Sequence, residues 1–117
     1  MAKSPKAKTY ADAEIAARLA RDLPHWRFEG GHIARTFRTH GWKGTLMAAN
    51  AIGHLAEAAW HHPDMALKYA SVEVRLQSHD AGGLTDKDFA LAAMIEATVL
   101  WRPEGVGGDE AAYIKYD

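Results

Sequence analysis

The sequence predicts an α+β fold in which helices pack on one face of an antiparallel sheet. Two short stretches alternate apolar and polar residues around a Gly-Gly pair, and a later stretch alternates over residues 70–78. Three other stretches repeat apolar residues at intervals of three or four, which is the period of an amphipathic helix. Because the helical stretches separate the strand pairs, this order favours a sheet with helices along one side.

The first predicted elements are a helix and a hairpin. The helix begins at Thr9 or Asp12 and runs to about Asp22, since apolar residues recur there at every fourth position. Two alternating runs then flank Gly30-Gly31, and a two-glycine connection between such runs is typical of a β-hairpin.

The middle of the chain is predicted to form a long helix and a strand. The helix extends from about Trp42 to Trp60, because this stretch is alanine-rich, free of proline and has apolar residues spaced four, three and four apart. Pro63 stops it, since the residue before a proline is pushed out of the α region. Residues 70–78 are the clearest strand, and residues 65–69 are predicted to form a short strand before it.

The last predicted helix begins after Thr85 as its N-cap and ends before Pro103. The N-terminal residues 1–8 carry three lysines and no apolar signal core, and are predicted to be a disordered basic tail. Residues 9–102 are predicted to form a single domain. Residues 103–117 are predicted to extend the same domain, although their pattern assigns no element.

Composition excludes several classes of protein. The 117 residues contain no cysteine, which excludes a disulfide framework and a thiolate zinc site and is consistent with a cytoplasmic protein. Lys and Arg total 14 against 15 Asp and Glu, so no overall basic field favours nucleic acid as a partner. The longest uncharged stretch, residues 44–56, is too short to span a membrane.

Three histidines and two carboxylates at fixed spacing are the strongest functional signal, namely Glu57, His61, His62, His79 and Asp88. Imidazole changes charge near neutral pH, so such a cluster is suited to moving protons between substrate atoms. The end of the long helix and the end of the clearest strand can bring these histidines to one cleft. The chain has no cysteine and no serine in an elbow motif, so proton transfer without a covalent intermediate is the predicted chemistry.

Simpler interpretations of the same residues stay open. Glu57 and His61 are four apart and are expected to touch on the helix, where they could be only an exposed pair. Asp88 lies three residues after Thr85 and could be the second half of a capping box. Histidines and carboxylates are also zinc ligands, but adjacent His61 and His62 should diverge, so no metal site is predicted.

The chain resembles the pterin-4a-carbinolamine dehydratase family over about residues 23–99. A Glu-x3-His-His-Pro core is followed at the family's distances by a tyrosine, a histidine and an aspartate, and the matching residues are Glu57, His61, His62, Pro63, Asp64, Tyr69, Val72, Val74, Leu76, His79, Gly83, Thr85 and Asp88. The resemblance implies a four-stranded antiparallel sheet backed by helices, assembled as dimers or tetramers. It also implies dehydration of 4a-hydroxytetrahydropterin to the quinonoid dihydropterin, with the pterin as substrate and no cofactor.

The resemblance also implies roles for individual residues. His61, His62 and His79 are the expected catalytic residues, with His61 and His79 as the acid/base pair and His62 positioning the pterin. Glu57 is expected to orient His61, and Asp88 to do the same for His79. The amide edge of the pterin is expected to meet Pro63 and backbone groups of Ser78, Asp80 and Ala81.

Two other functions remain open at this point. Members of the family also serve as partners of a transcription factor or as assembly factors, and such roles do not require all three histidines. A modified pterin is the other alternative, because the segment 39–42 and the extension after Trp101 depart from the family's pattern.

Overall fold

A computed structural model describes residues 7–103 and 113–116 and confirms the α+β prediction. In this part of the chain the α-helices are α1 (Asp12–Asp22), α2 (Trp42–Ala59) and α3 (Asp86–Val99). The strands are β1 (Arg27–Glu29), β2 (His32–Thr39), β3 (Asp64–Lys68), β4 (Ser71–Leu76) and β5 (Ile114–Lys115). The predicted hairpin at Gly30-Gly31 and the predicted short strand before β4 are both present. Most of the predicted basic tail and most of the C-terminal extension lie outside the described residues.

The sheet is antiparallel with strand order β1-β2-β4-β3. β2 is its central element, because one edge pairs with β4 from Ile33↔Leu76 to Arg38↔Ser71. The other edge of β2 pairs with β1 at its beginning and with β5 at its end. This fifth strand was not predicted, since two residues carry too little pattern to identify a strand.

The core lies between one face of the sheet and the helices. Alternate residues of β2 and β4 are buried there, as the period of a strand requires, and α2 and α3 contribute Ile52, Ala92, Ile95 and Val99. The opposite face of the sheet carries an ion-pair network in which Glu73 accepts from Arg27 at 2.7 Å and from Arg75 at 2.9 Å. The alternation in β4 therefore separates an apolar face from a charged one.

A buried polar contact joins the sheet to α3. Arg35 of β2 is only 4% exposed, and its guanidinium donates to both carboxylate oxygens of Glu96 at 2.9 and 3.1 Å. The Trp26 indole N–H donates to the same carboxylate at 2.7 Å. Because the charge is paired and hydrogen-bonded, the arginine is tolerated on the core side of the sheet.

The ends of three elements meet where the histidines lie. α2 ends at Ala59, β4 ends at Leu76, and α3 begins at Asp86. Trp60 caps α2 in the left-handed conformation with φ 51°, a position that glycine usually occupies. This conformation turns the chain sharply before Pro63 and directs the next residues away from the helix.

Candidate functional site

A buried carboxylate lies at the centre of the site. Asp88 is fully buried, and its Oδ1 lies 2.6 Å from Nε2 of His61. Its Oδ2 accepts a hydrogen bond from Ser78 Oγ at 2.8 Å and another from the backbone N–H of Thr85 at 2.9 Å. Both oxygens are thus satisfied, as a buried carboxylate requires.

Asp88 occupies this position because of the way α3 begins. Thr85 is the N-cap and its side chain accepts from the backbone N–H of Lys87, while Asp88 reaches back to the N–H of Thr85. The predicted capping box is therefore confirmed. The same aspartate also pairs with an imidazole, so the capping role and the site role are not alternatives.

The prediction that Asp88 orients His79 was wrong. Asp88 contacts His61 and not His79, because the start of α3 lies against the end of α2. The end of β4 contributes Ser78 to the carboxylate, and His79 follows on the exposed side of the turn.

The expected pairing of Glu57 with His61 was also wrong. Glu57 Oε1 lies 2.8 Å from Nε2 of His62, and both side chains are exposed, at 69% and 53%. An i,i+4 contact requires both residues to be helical, but α2 ends two residues before His61. The turn at Trp60 therefore moves His61 inward, to 13% exposure, and leaves His62 beside Glu57.

His79 opens a short 3-10 turn, His79–Ala81, and is exposed. Its ring nitrogens lie 3.0 and 3.3 Å from the side-chain amide nitrogen of Gln77. Within this turn the carbonyl of Ser78 accepts from the N–H groups of Ala81 and Gly82. Of the backbone groups expected to face the pterin, the carbonyl of Ser78 and the N–H of Ala81 are thus engaged inside the turn itself.

The remaining residues predicted for the site lie around the same junction. Pro63 and Ala81 are partly buried, and Asp80 is exposed. His62 and Pro63 follow His61 directly, while Asp80 and Ala81 follow Ser78 and His79.

One of the three histidines belongs to the buried hydrogen-bonded unit, the other two follow members of this unit in the chain, and each has a different partner. His61 is bonded to Asp88, and Ser78, the residue before His79, is bonded to the same carboxylate. His61 has a buried carboxylate partner, His62 an exposed carboxylate, and His79 an amide. Imidazoles in such different surroundings are suited to opposite proton-transfer roles.

A cleft of about 390 Å³ lies between α2 and α3 beside His61. Its lining is mostly apolar and consists of Leu55, Ala58, Ala59, His61, Lys87, Ala90, Leu91 and Met94. Of the predicted site residues, only His61 lines it. Sequence reasoning did not single out Lys87 or Met94, and their spacing from Leu91 along one helix face is the signal that could have indicated them.

Two further observations concern the described residues 7–103 and 113–116. No three His, Cys, Asp or Glu side chains are placed there to share a metal ion. None of the helices in this part of the chain has the length and apolar character needed to cross a bilayer.

Comparison with known proteins places these residues in a family. Residues 8–98 match the family model described as pterin 4 alpha carbinolamine dehydratase. A Chloroflexus aurantiacus protein named "Putative pterin-4-alpha-carbinolamine dehydratase" is 48% identical over 86 residues, which cover 74% of this chain and 91% of that protein. An Aquifex aeolicus protein of the same name is 42% identical, with coverage of 74% and 87%.

Two solved structures have the same fold. A protein from Brucella melitensis, described as a transcriptional coactivator/pterin dehydratase, superposes with a TM-score of 0.71 at 24% identity and covers 79% of this chain and 99% of its own. A pterin dehydratase-like protein, identified as a RuBisCO assembly factor in the alpha-carboxysome, superposes with a TM-score of 0.55 at 22% identity, covering 64% and 89%. At these identities the likeness shows the fold alone.

Proposed function

The chain belongs to the pterin 4 alpha carbinolamine dehydratase family, and from this premise we propose that it dehydrates 4a-hydroxytetrahydropterin to the quinonoid dihydropterin. The observation that carries the proposal is the buried contact between His61 and Asp88, with His62 and His79 at the same junction of helix and strand ends. A histidine that only covers the surface needs no fully buried carboxylate partner, so this contact favours a functional role for His61.

The proposed reaction removes water from the carbinolamine in two proton transfers. One group protonates the departing C4a hydroxyl, which leaves as water, and another removes the proton from the ring nitrogen as the C=N bond forms. A positioned acid or base contributes typically about 10²–10⁴-fold to such a step. The reaction needs no bound cofactor, and the pterin itself is the substrate.

We assign His61 and His79 to these two transfers and His62 to pterin binding. His61 lies against a carboxylate, which stabilises the imidazolium that forms when the ring takes up a proton. His79 and His62 are exposed, so a ligand can reach both rings. Glu57 holds His62 and Asp88 holds His61. We assign Pro63, Asp80 and Ala81 to the edge of the pterin site.

The experiment is stopped-flow measurement of the decay of freshly generated 4a-hydroxytetrahydropterin. Wild-type protein should accelerate the decay above the spontaneous rate, and His61→Ala combined with His79→Ala should abolish the acceleration. His54→Ala, which alters an exposed histidine on α2, is the matched control and should leave the rate unchanged. A folded wild-type protein that gives no acceleration contradicts the proposal.

The second candidate function is a non-catalytic binding or assembly role, since the description of one neighbour identifies that neighbour as a RuBisCO assembly factor. The family resemblance also predicts a dimer or tetramer, which light scattering on the same preparation would measure. Absence of acceleration in a protein of that assembly state would favour the binding role over catalysis.

A further inference from the structure

Ser78 is a buried serine whose hydroxyl makes hydrogen bonds with two other side chains. It is 4% exposed, its Oγ donates to Oδ2 of Asp88, and it lies 2.9 Å from Oγ1 of Thr85. A hydroxyl has one proton to donate, so the contact with Thr85 requires Thr85 to be the donor. Thr85 Oγ1 in turn accepts the backbone N–H of Lys87 at 3.3 Å. In each hydrogen bond of this series the donor is the group farther from Asp88, and the last acceptor is the Asp88 carboxylate.

Because these hydrogen bonds are donated toward Asp88, its carboxylate acts as the acceptor. Its Oδ2 receives two donors, and the carboxylate lies in the first turn of α3, where the helix dipole favours negative charge. An ionised carboxylate only accepts hydrogen bonds, so in this contact the Nε2–H of His61 donates to Oδ1. The neutral form of His61 therefore carries its proton on Nε2, and Nδ1 is left as the basic nitrogen.

We propose that Ser78 and Thr85 are positioning residues, which hold Asp88 so that His61 stays in the Nε2–H tautomer with Nδ1 free for the substrate. The assignment of Nδ1 to the substrate rests on the proposed dehydration. The tautomer and its dependence on Ser78 do not, because they are properties of the protein without substrate. A merely structural serine would contribute to the stability of the turn and leave the tautomer unaffected.

The test is ¹⁵N NMR of the His61 ring in the substrate-free full-length protein, recorded on the neutral imidazole. Wild-type protein should give the shifts of the Nε2–H tautomer. Ser78→Ala should shift the ring toward a mixture of both tautomers, and Ser78→Thr, which retains the hydroxyl, should restore the wild-type pattern. Thr45→Ala is the matched control, because it removes another fully buried hydroxyl, whose partners are Thr39 and the carbonyl of Tyr69.

Stopped-flow dehydration provides the second measurement. Ser78→Ala leaves the three imidazoles in place, so it should lower kcat by roughly tenfold, a part of the 10²–10⁴-fold that a positioned acid or base supplies, with little change in KM. If Ser78→Ala does not fold, Thr85→Val tests the same chain of contacts from its far end and should also produce the tautomer mixture.

Three results would overturn the inference. They are a wild-type ring in the Nδ1–H tautomer, a Ser78→Ala ring that matches wild type, and a Thr45→Ala protein that changes the His61 ring as much as Ser78→Ala does. If the wild type has the Nε2–H tautomer but no dehydratase activity, the proposed function fails while the positioning of His61 by Ser78 stands. The two failures are therefore distinguishable.

Discussion

At the scale of single residues, Asp88 illustrates how one side chain can satisfy two local requirements. It closes the capping box of α3 through the N–H of Thr85 and it holds the His61 ring at 2.6 Å. Both uses need a carboxylate at the third position of the helix. A glutamate there could close the capping box as well, but its longer side chain would place the carboxylate differently relative to His61.

Asp86 makes a residue-scale prediction about pH. Hydrogen bonds from the Tyr10 hydroxyl and from Arg18 lower the pKa of Asp86 below its ordinary value. A lowered pKa in the folded state means that this contribution to stability is present above the ordinary pKa and is lost as the pH falls through the lowered one. We therefore expect Asp86→Asn to flatten the loss of stability below about pH 4.

The measurement for Asp86 is urea unfolding as a function of pH. The variant should lose less stability than wild type between about pH 4 and pH 2, although the exposed position keeps the difference small. Asp12→Asn, an exposed aspartate at the start of α1, is the control. Parallel acid profiles for wild type and Asp86→Asn would contradict the expectation.

At the scale of elements, the contact between Arg35 and Glu96 attaches α3 to the sheet. The guanidinium is nearly buried and pairs with both carboxylate oxygens, so Glu96→Gln removes a negative charge that compensates it. We expect Glu96→Gln to lower the free energy of unfolding by about 3 kcal/mol, measured by urea denaturation. Asp22→Asn breaks an exposed pair with Arg21 and should change the free energy of unfolding far less, because solvent screens exposed ion pairs. Equal effects of the two substitutions would contradict this role of Arg35.

The C-terminal strand is a second element-scale feature, and it lies beyond the residues that match the family model. Ile114 is buried in the core, and the carbonyl oxygen of Tyr113 would lie only 2.4 Å from a Cβ at Gly44. The absence of a side chain at Gly44 is thus what lets β5 approach α2.

Gly44→Ala should consequently displace the segment 113–116 and lower the free energy of unfolding by about 1–3 kcal/mol. Gly53→Ala is a matched control in the same helix, because open space surrounds its Cβ position. That substitution should raise stability by about 0.5–1 kcal/mol, the usual gain of alanine over glycine in a helix. Hydrogen exchange at His40, whose backbone N–H donates to the carbonyl of Tyr113 at 3.3 Å, would report the displacement of β5, and unchanged protection of this amide in Gly44→Ala would contradict it.

Across the whole molecule, the elements were predictable because each has a clear period or stop signal. The alternation in residues 70–78 and the stop at Pro63 are examples that the structure bears out within one or two residues. The site residues stay a prediction as a set, which rests on a spacing that resembles that of the family. The contacts among them were not, since they depend on where α2 ends.

The turn at Trp60 is the main reason that the pairings differ from the expected ones. Its left-handed conformation is rare for a bulky residue, so no local pattern predicts it. It separates His61 from Glu57 and brings it to Asp88, which lies 27 positions later in the chain. Contacts of this range depend on tertiary packing and not on periodicity.

The most direct test of the contact between His61 and Asp88 is the rate of carbinolamine dehydration by Asp88→Asn compared with wild type. We expect a loss of about 10²-fold or more, because an amide cannot stabilise a protonated His61 as a carboxylate does. Asp12→Asn, which alters an exposed aspartate at the start of α1 and outside the site, is the control and should retain most of the activity. A folded Asp88→Asn protein that dehydrates the carbinolamine at the wild-type rate would contradict the central role of the contact between His61 and Asp88.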